Sequence, residues 1–162
     1  MGDLRDTVLA VLKTFDTAGW HTGLGRALEG ISSSQALWRP AEGQHCIWDH
    51  VNHVTVWAEE LSRTLTGRPR RPELYSSLEP GWPPPGEAGG DGAWQAAVDK
   101  LRAAHAGLVK TVAGLTDENL AQPSSKGAPR AAMIIGCANH YSYHGGQIIL
   151  LRRLQGLWET DA

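Results

Sequence analysis

Four stretches of this chain repeat apolar residues every three or four positions, and none alternates convincingly as a strand. That periodicity predicts helices, each with one stripe to bury. The first stretch, roughly Leu4 to Phe15, sets Leu4, Val8, Leu12 and Phe15 at helical spacing. The second, about Cys46 to Thr66, steps through Ile47, Val51, Val54, Ala58, Leu61 and Leu65 before Gly67 supplies a stop signal. The third, about Ala93 to Leu115, aligns Trp94, Val98, Leu101, His105, Leu108, Val112 and Leu115. The fourth begins after Pro129 and ends before Gly156, with Arg152 and Arg153 in its last turns. Its stripe reads Met133, Cys137, His140, His144, Gln147, Leu151 and Leu154, which is polar in the middle. A shorter piece, Leu24 to Ile31, follows the first helix. Ser32, Ser33 and Ser34 then offer N-caps for a brief turn closed by Trp38-Arg39-Pro40.

Between the second and third helices, residues 67–92 hold 12 Gly or Pro among 26 residues, six of the nine prolines included. Trp82, set among those prolines, favours an ordered crossover that packs against the rest of the protein. The expected fold is therefore all-α: a four-helix bundle with a long Pro/Gly-rich crossover between helices 2 and 3. With 162 residues, 41% of them hydrophobic, the chain has apolar mass for one core, and residues 1–162 read as a single domain.

Fifteen Lys and Arg against 17 Asp and Glu give a net charge of −2, which argues against a nucleic-acid-binding surface. No apolar run approaches the roughly 20 residues that span a membrane. The opening MGDLRDTVLAVLKTFD carries acids inside its apolar stretch and lacks a basic leader, so a secretory signal is not expected there. Two cysteines are too few for a disulfide framework, and a reducing cytoplasm is the expected location. Cys46 occupies a cap-like position and Cys137 reads as a space-filling core residue.

The seven histidines are clustered. His45, His50 and His53 lie at the start of helix 2, while His140 and His144 lie in the middle of helix 4. Residues four apart on a helix point the same way, so His140 and His144 can offer two nitrogens to one ion. A third ligand from a facing helix would complete a three-histidine metal site with open positions. An HxxxH pair alone is a weak signal, and a hydrogen-bond network with Gln147 and Tyr143 could also satisfy the two rings. Periodicity leaves the third ligand open: His50 lies nearer the Val51/Val54 seam, and His53 sits on its flank, about 100° from Val54.

The stretches WHTG (20–23), ALWRPAEGQHCIWDHVNHVTVW (36–57) and NHYSYHGGQIILLRRL (139–154) resemble the DinB-like, or YfiT-like, four-helix-bundle superfamily. In that family one histidine of helix 2 and both histidines of the helix-4 motif hold a divalent metal. Position by position, the resemblance implies His53, His140 and His144 as ligands, with His50 at a place usually apolar or variable. It implies a divalent ion, zinc or nickel, a low-molecular-weight thiol, a small-molecule substrate and pairing as a homodimer. The implied activity is a thiol-dependent S-transferase acting in detoxification or stress. A metal-hydroxide hydrolase on the same site is a rival reading, and a non-catalytic metal- or small-ligand-binding bundle is another. No HExxH motif, Gly-rich phosphate loop or serine elbow is present.

Around that site, Gln147 reads as a residue behind a ligand and Trp57 as a core or pocket wall. His105 reads as a core histidine. Arg68, Arg70 and Arg71 form a short run that could meet an anionic substrate. His21 belongs to the WHTG turn, whose role the sequence does not disclose.

Overall fold

The computed structural model describes residues 3–17, 19–74, 81–85, 90–124 and 127–158. The described chain forms α1 (Leu4–Leu12), α2 (Leu24–Ala27), α3 (Ser33–Leu37), α4 (Ile47–Leu65), α5 (Asp91–Ala113), α6 (Asp117–Ala121) and α7 (Arg130–Leu154). Short 3₁₀ turns follow α1 (Lys13–Phe15) and lie early in the crossover (Pro72–Leu74). Among the described residues there is no strand, only an isolated bridge between Pro123 and Pro129. The four long helices close a ring: α4 packs on α5 and α7, and α1 packs on α7 and α5. This is the all-α bundle that the periodicity predicts.

Each long helix buries the stripe it carries. The whole α4 seam from Ile47 to Leu65 is buried, as are Trp94, Val98, Leu101, Leu108 and Val112 of α5. Burying such a side chain contributes about 1.5–3 kcal/mol each, so these two seams anchor the core. Trp94 adds direction to the packing, since its indole N–H donates to the Ile31 carbonyl at 2.7 Å. On α7 the buried set is Ala131, Ile134, Cys137, Ala138, Tyr141, His144, Gly145, Ile148 and Leu151. That corrects the expected stripe: Met133 is half-buried and Leu154 is 58% exposed. The reason is that α7 touches α1, α2, α4 and α6, so its buried arc is broad and centred elsewhere.

The helix ends follow capping chemistry. Ser32 and Gln35 form a reciprocal capping box on α3, and Thr116 with Asn119 does the same on α6. Asp117 accepts from the Leu4 and Arg5 N–H groups at 3.0 and 2.9 Å, so α6 caps the start of α1. The predicted helix over 24–31 is shorter, ending at Ala27. The crossover is described in part: residues 81–85 pack on α4, while the rest of the expectation for 75–80 and 86–89 lies outside the described residues.

Candidate metal centre

Two helices bring the histidines together. His50 and His53 stand one turn apart near the start of α4, and His140 and His144 one turn apart in the middle of α7. The start of α4 is held rigidly. Asp49 accepts from the Cys46 N–H at 2.9 Å and from the Arg39 guanidinium at 2.6 Å. Burial opposes its charge, but the Arg39 and Cys46 hydrogen bonds outweigh burial and hold the carboxyl below its ordinary range. Arg39 also donates to the Gln44 carbonyl at 2.6 Å. The Trp38-Arg39-Pro40 segment thus works through its arginine, which fixes where α4 begins and therefore where His50 and His53 point.

The ring nitrogens converge. His140 Nε2 lies 3.1 Å from His53 Nε2 and 2.9 Å from His144 Nε2. One ligand atom from each of the three lies within 4.8 Å of the others. His53 donates through Nδ1 to the Gly81 carbonyl at 2.7 Å, which leaves its Nε2 without a hydrogen in the neutral ring. His144 Nδ1 meets His50 Nδ1 at 2.9 Å. Desolvation pushes all four rings toward neutrality: His50 and His53 fall to about 4, His144 to about 3, and His140 moves down as well.

Neutral rings cannot satisfy this arrangement by themselves. His140 Nε2 carries at most one proton, and His53 Nε2 carries none, so at most one of the two close contacts is a hydrogen bond. The other, at about 3 Å, is left without a hydrogen bond. A cation among the three resolves the conflict. Two nitrogens each about 2.0–2.1 Å from one zinc-like ion lie about 2.8–3.4 Å apart for angles of 90–110°, a range that includes both spacings found. The donor set therefore fits a divalent metal.

The surroundings orient the rings. Trp82 stacks on His53 (centroids 3.9 Å apart) and on His45 (3.7 Å), and presents its edge to His50 and His144. Asn52 donates to the Pro83 and Pro84 carbonyls at 3.2 and 3.1 Å, tying residues 81–85 onto α4. Gly81 adopts φ +75°, and a Cβ there would fall 2.6 Å from Trp57 Nε1. Only glycine brings its carbonyl this close over His53. Gly81, Trp82 and His45 are the site residues that sequence reasoning missed. Their early signals were a tryptophan placed among prolines and the clustering of His45 with His50 and His53.

The remaining candidates fall as follows. His50 is buried behind His144, so it contacts a candidate ligand without belonging to the converging set. Gln147 lies on the same face, near enough to His144 to favour its charged form, and its Oε1 is buried without a hydrogen-bond partner. Tyr143 is 63% exposed, with its ring edge-on to His144 at 5.0 Å. Trp57 walls a cavity that reaches His140. His105 stays in the core, stacked on Phe15 at 4.1 Å and edge-on to Tyr141, with its Nδ1 unpartnered. Burial raises the Cys46 thiol, and pushes Cys137 up to about 11, so neither is an activated nucleophile. Arg71 is committed to Glu59 and Glu60, Arg68 lines a groove with Arg63, and Arg70 lies at the edge of the Trp57 cavity. His21 contacts Ser142 Oγ of α7 at 2.8 Å, and a Cβ at Gly23 would sit 2.6 Å from the Thr14 carbonyl oxygen. The WHTG turn therefore fastens the end of the first helix to α7 beside the site.

Among the described residues, no helix is long and apolar enough to cross a membrane. No curated protein and no solved structure shows a significant match to the chain. A family model does match over residues 17–148, a span that contains all of the converging histidines, and the chain belongs to the DinB superfamily.

Proposed function

We propose that His53, His140 and His144 hold one divalent ion, zinc or nickel, and that this protein is a metal-dependent enzyme, a thiol-dependent S-transferase of detoxification or stress. The observation that carries the metal is that His140 Nε2 lies within about 3 Å of both His53 Nε2 and His144 Nε2, which neutral rings alone leave unsatisfied. The thiol rests on superfamily membership rather than on any contact. When bound, the ion would supply positive charge that makes a coordinated thiol or water acidic near neutral pH.

The chain's own residues would set the terms. Gly81 holds His53 in the tautomer that exposes Nε2, and His50 would do the same for His144 by accepting from its Nδ1–H. Three neutral imidazoles leave the ion's charge uncancelled. Trp82 covers His53 on one side and limits the approach of solvent there. In the transfer, the thiol sulfur bonds to the electrophilic carbon, the leaving group departs with its bonding pair, and the thiol proton passes to solvent.

We further propose a cytoplasmic, single-domain protein that pairs as a homodimer, for which the exposed Trp20, Trp38, Leu150 and Leu154 supply apolar surface. Metal analysis after purification without chelators should give about one zinc or nickel per chain. Conjugation of small thiols to electrophiles, assayed beside ester hydrolysis, should then show metal-dependent transfer. Near-zero metal would overturn the reading. Metal-dependent hydrolysis without transfer would replace the transferase by the hydrolase, and metal without either activity would favour a binding bundle.

A further inference from the structure

Beside the histidines lies a cavity of about 540 Å³ between α4 and α7, of the size that takes small organic molecules. Trp57 and Leu61 wall it from α4, and Ala132, Met133, Gly136 and Cys137 from α7, with His140 at its inner end. The space exists because α7 presents small residues there: a Cβ on Gly136 would meet nothing within 4 Å. Of the three converging histidines, His140 alone lines this cavity.

The buried acid at the wall is already matched, and the cation Arg70 stands at the cavity's edge. Glu60 is 2% exposed, and its carboxylate accepts from Arg71 Nε at 3.3 Å and from the Arg71 N–H at 3.4 Å. An apolar body is therefore what this wall desolvates at least cost. Trp57 offers aromatic surface to such a body, and Met133 an adaptable one. The neighbouring groove between α4 and α5 is different in kind, lined by Glu59, Arg63, Arg68 and Arg71.

From these observations we infer that the α4–α7 cavity binds the apolar, aromatic or aliphatic, part of a small-molecule substrate and directs its reacting end to His140. The inference deepens the three-histidine reading and rests on it for the reaction, while occupancy of the cavity is measurable without any ion.

The probe is N-phenyl-1-naphthylamine, a neutral aromatic molecule whose fluorescence rises in apolar surroundings, titrated into the zinc-loaded and the chelator-stripped protein. The wild type should bind one equivalent saturably in both forms. Gly136→Phe, which fills the cavity, should bind at least tenfold more weakly while keeping its zinc stoichiometry and helical circular dichroism. Gly107→Phe, which enters the polar groove instead, should bind as the wild type does. No saturable binding by the wild type, or unchanged binding by a folded Gly136→Phe protein, would overturn the assignment. Probe binding lost with Gly136→Phe in a protein that takes up no zinc would uphold the cavity and sink the metal reading separately.

Discussion

Replacement of His50 separates an orienting histidine from a ligand. Its Nδ1 stands 2.9 Å from His144 Nδ1, and it is 5% exposed, so it holds the candidate ligand without facing the point of convergence. Loss of such an orienting partner costs about 10–100-fold in metal affinity, which is about 1.4–2.8 kcal/mol. His53→Ala removes one of three nitrogens and should abolish stoichiometric binding. The assay is competitive zinc titration against a chelating dye, run on wild type, His50→Ala and His53→Ala. Because truncating a buried ring also opens a void, His50→Phe provides a volume-preserving companion with the same expected loss of affinity. His50→Ala should still reach one equivalent at saturating zinc. Stoichiometric zinc in His53→Ala together with none in His50→Ala would refute the assignment. Unchanged affinity in both His50 variants would show that the contact orients nothing.

Three further outcomes follow from the same geometry. Asp49→Ala should lower stability to urea by about 1–2 kcal/mol, since it removes the carboxylate that caps α4 and binds Arg39. Gly81→Ala meets both a left-handed φ and the Trp57 ring, a strain of about 1–3 kcal/mol, so residues 81–85 should lift. Zinc affinity and amide protection in that segment should fall together. The metal-free protein should lose stability as pH drops from about 6.5 toward 4. In that window unfolded histidines take up protons while His50, His53 and His144, depressed to about 4, 4 and 3, do not. Chemical denaturation at several pH values checks the sign, and a metal-free protein that gains stability on acidification would contradict it.

Much of the architecture is readable from residue spacing because α4 and α5 bury the seams that their spacing marks. The α4 pattern from Ile47 to Leu65 and the α5 pattern from Trp94 to Val112 map directly onto buried faces. The α7 pattern does not, because that helix serves several neighbours and spends small residues, Ala131 and Ala138, on close packing. The His50/His53 ambiguity has the same origin. Both rings are buried, and periodicity reports burial without reporting which nitrogen faces which partner. The motif resemblance implies His53, and the geometry sets it among the converging nitrogens. Trp82 and the Gly81 carbonyl escaped because they reach the site from an aperiodic segment some 30 residues away, through contacts that no local pattern encodes. Arg39 was visible only as part of a motif, and its role emerges once Asp49 is found 2.6 Å from it.

An anomalous-difference map from crystals of the zinc-loaded protein bears most directly on the metal. A single peak bonded to Nε2 of His53, His140 and His144, each at about 2.0–2.1 Å, is the result the converging rings require. A map without density among those rings, or with the ion held elsewhere, would contradict it.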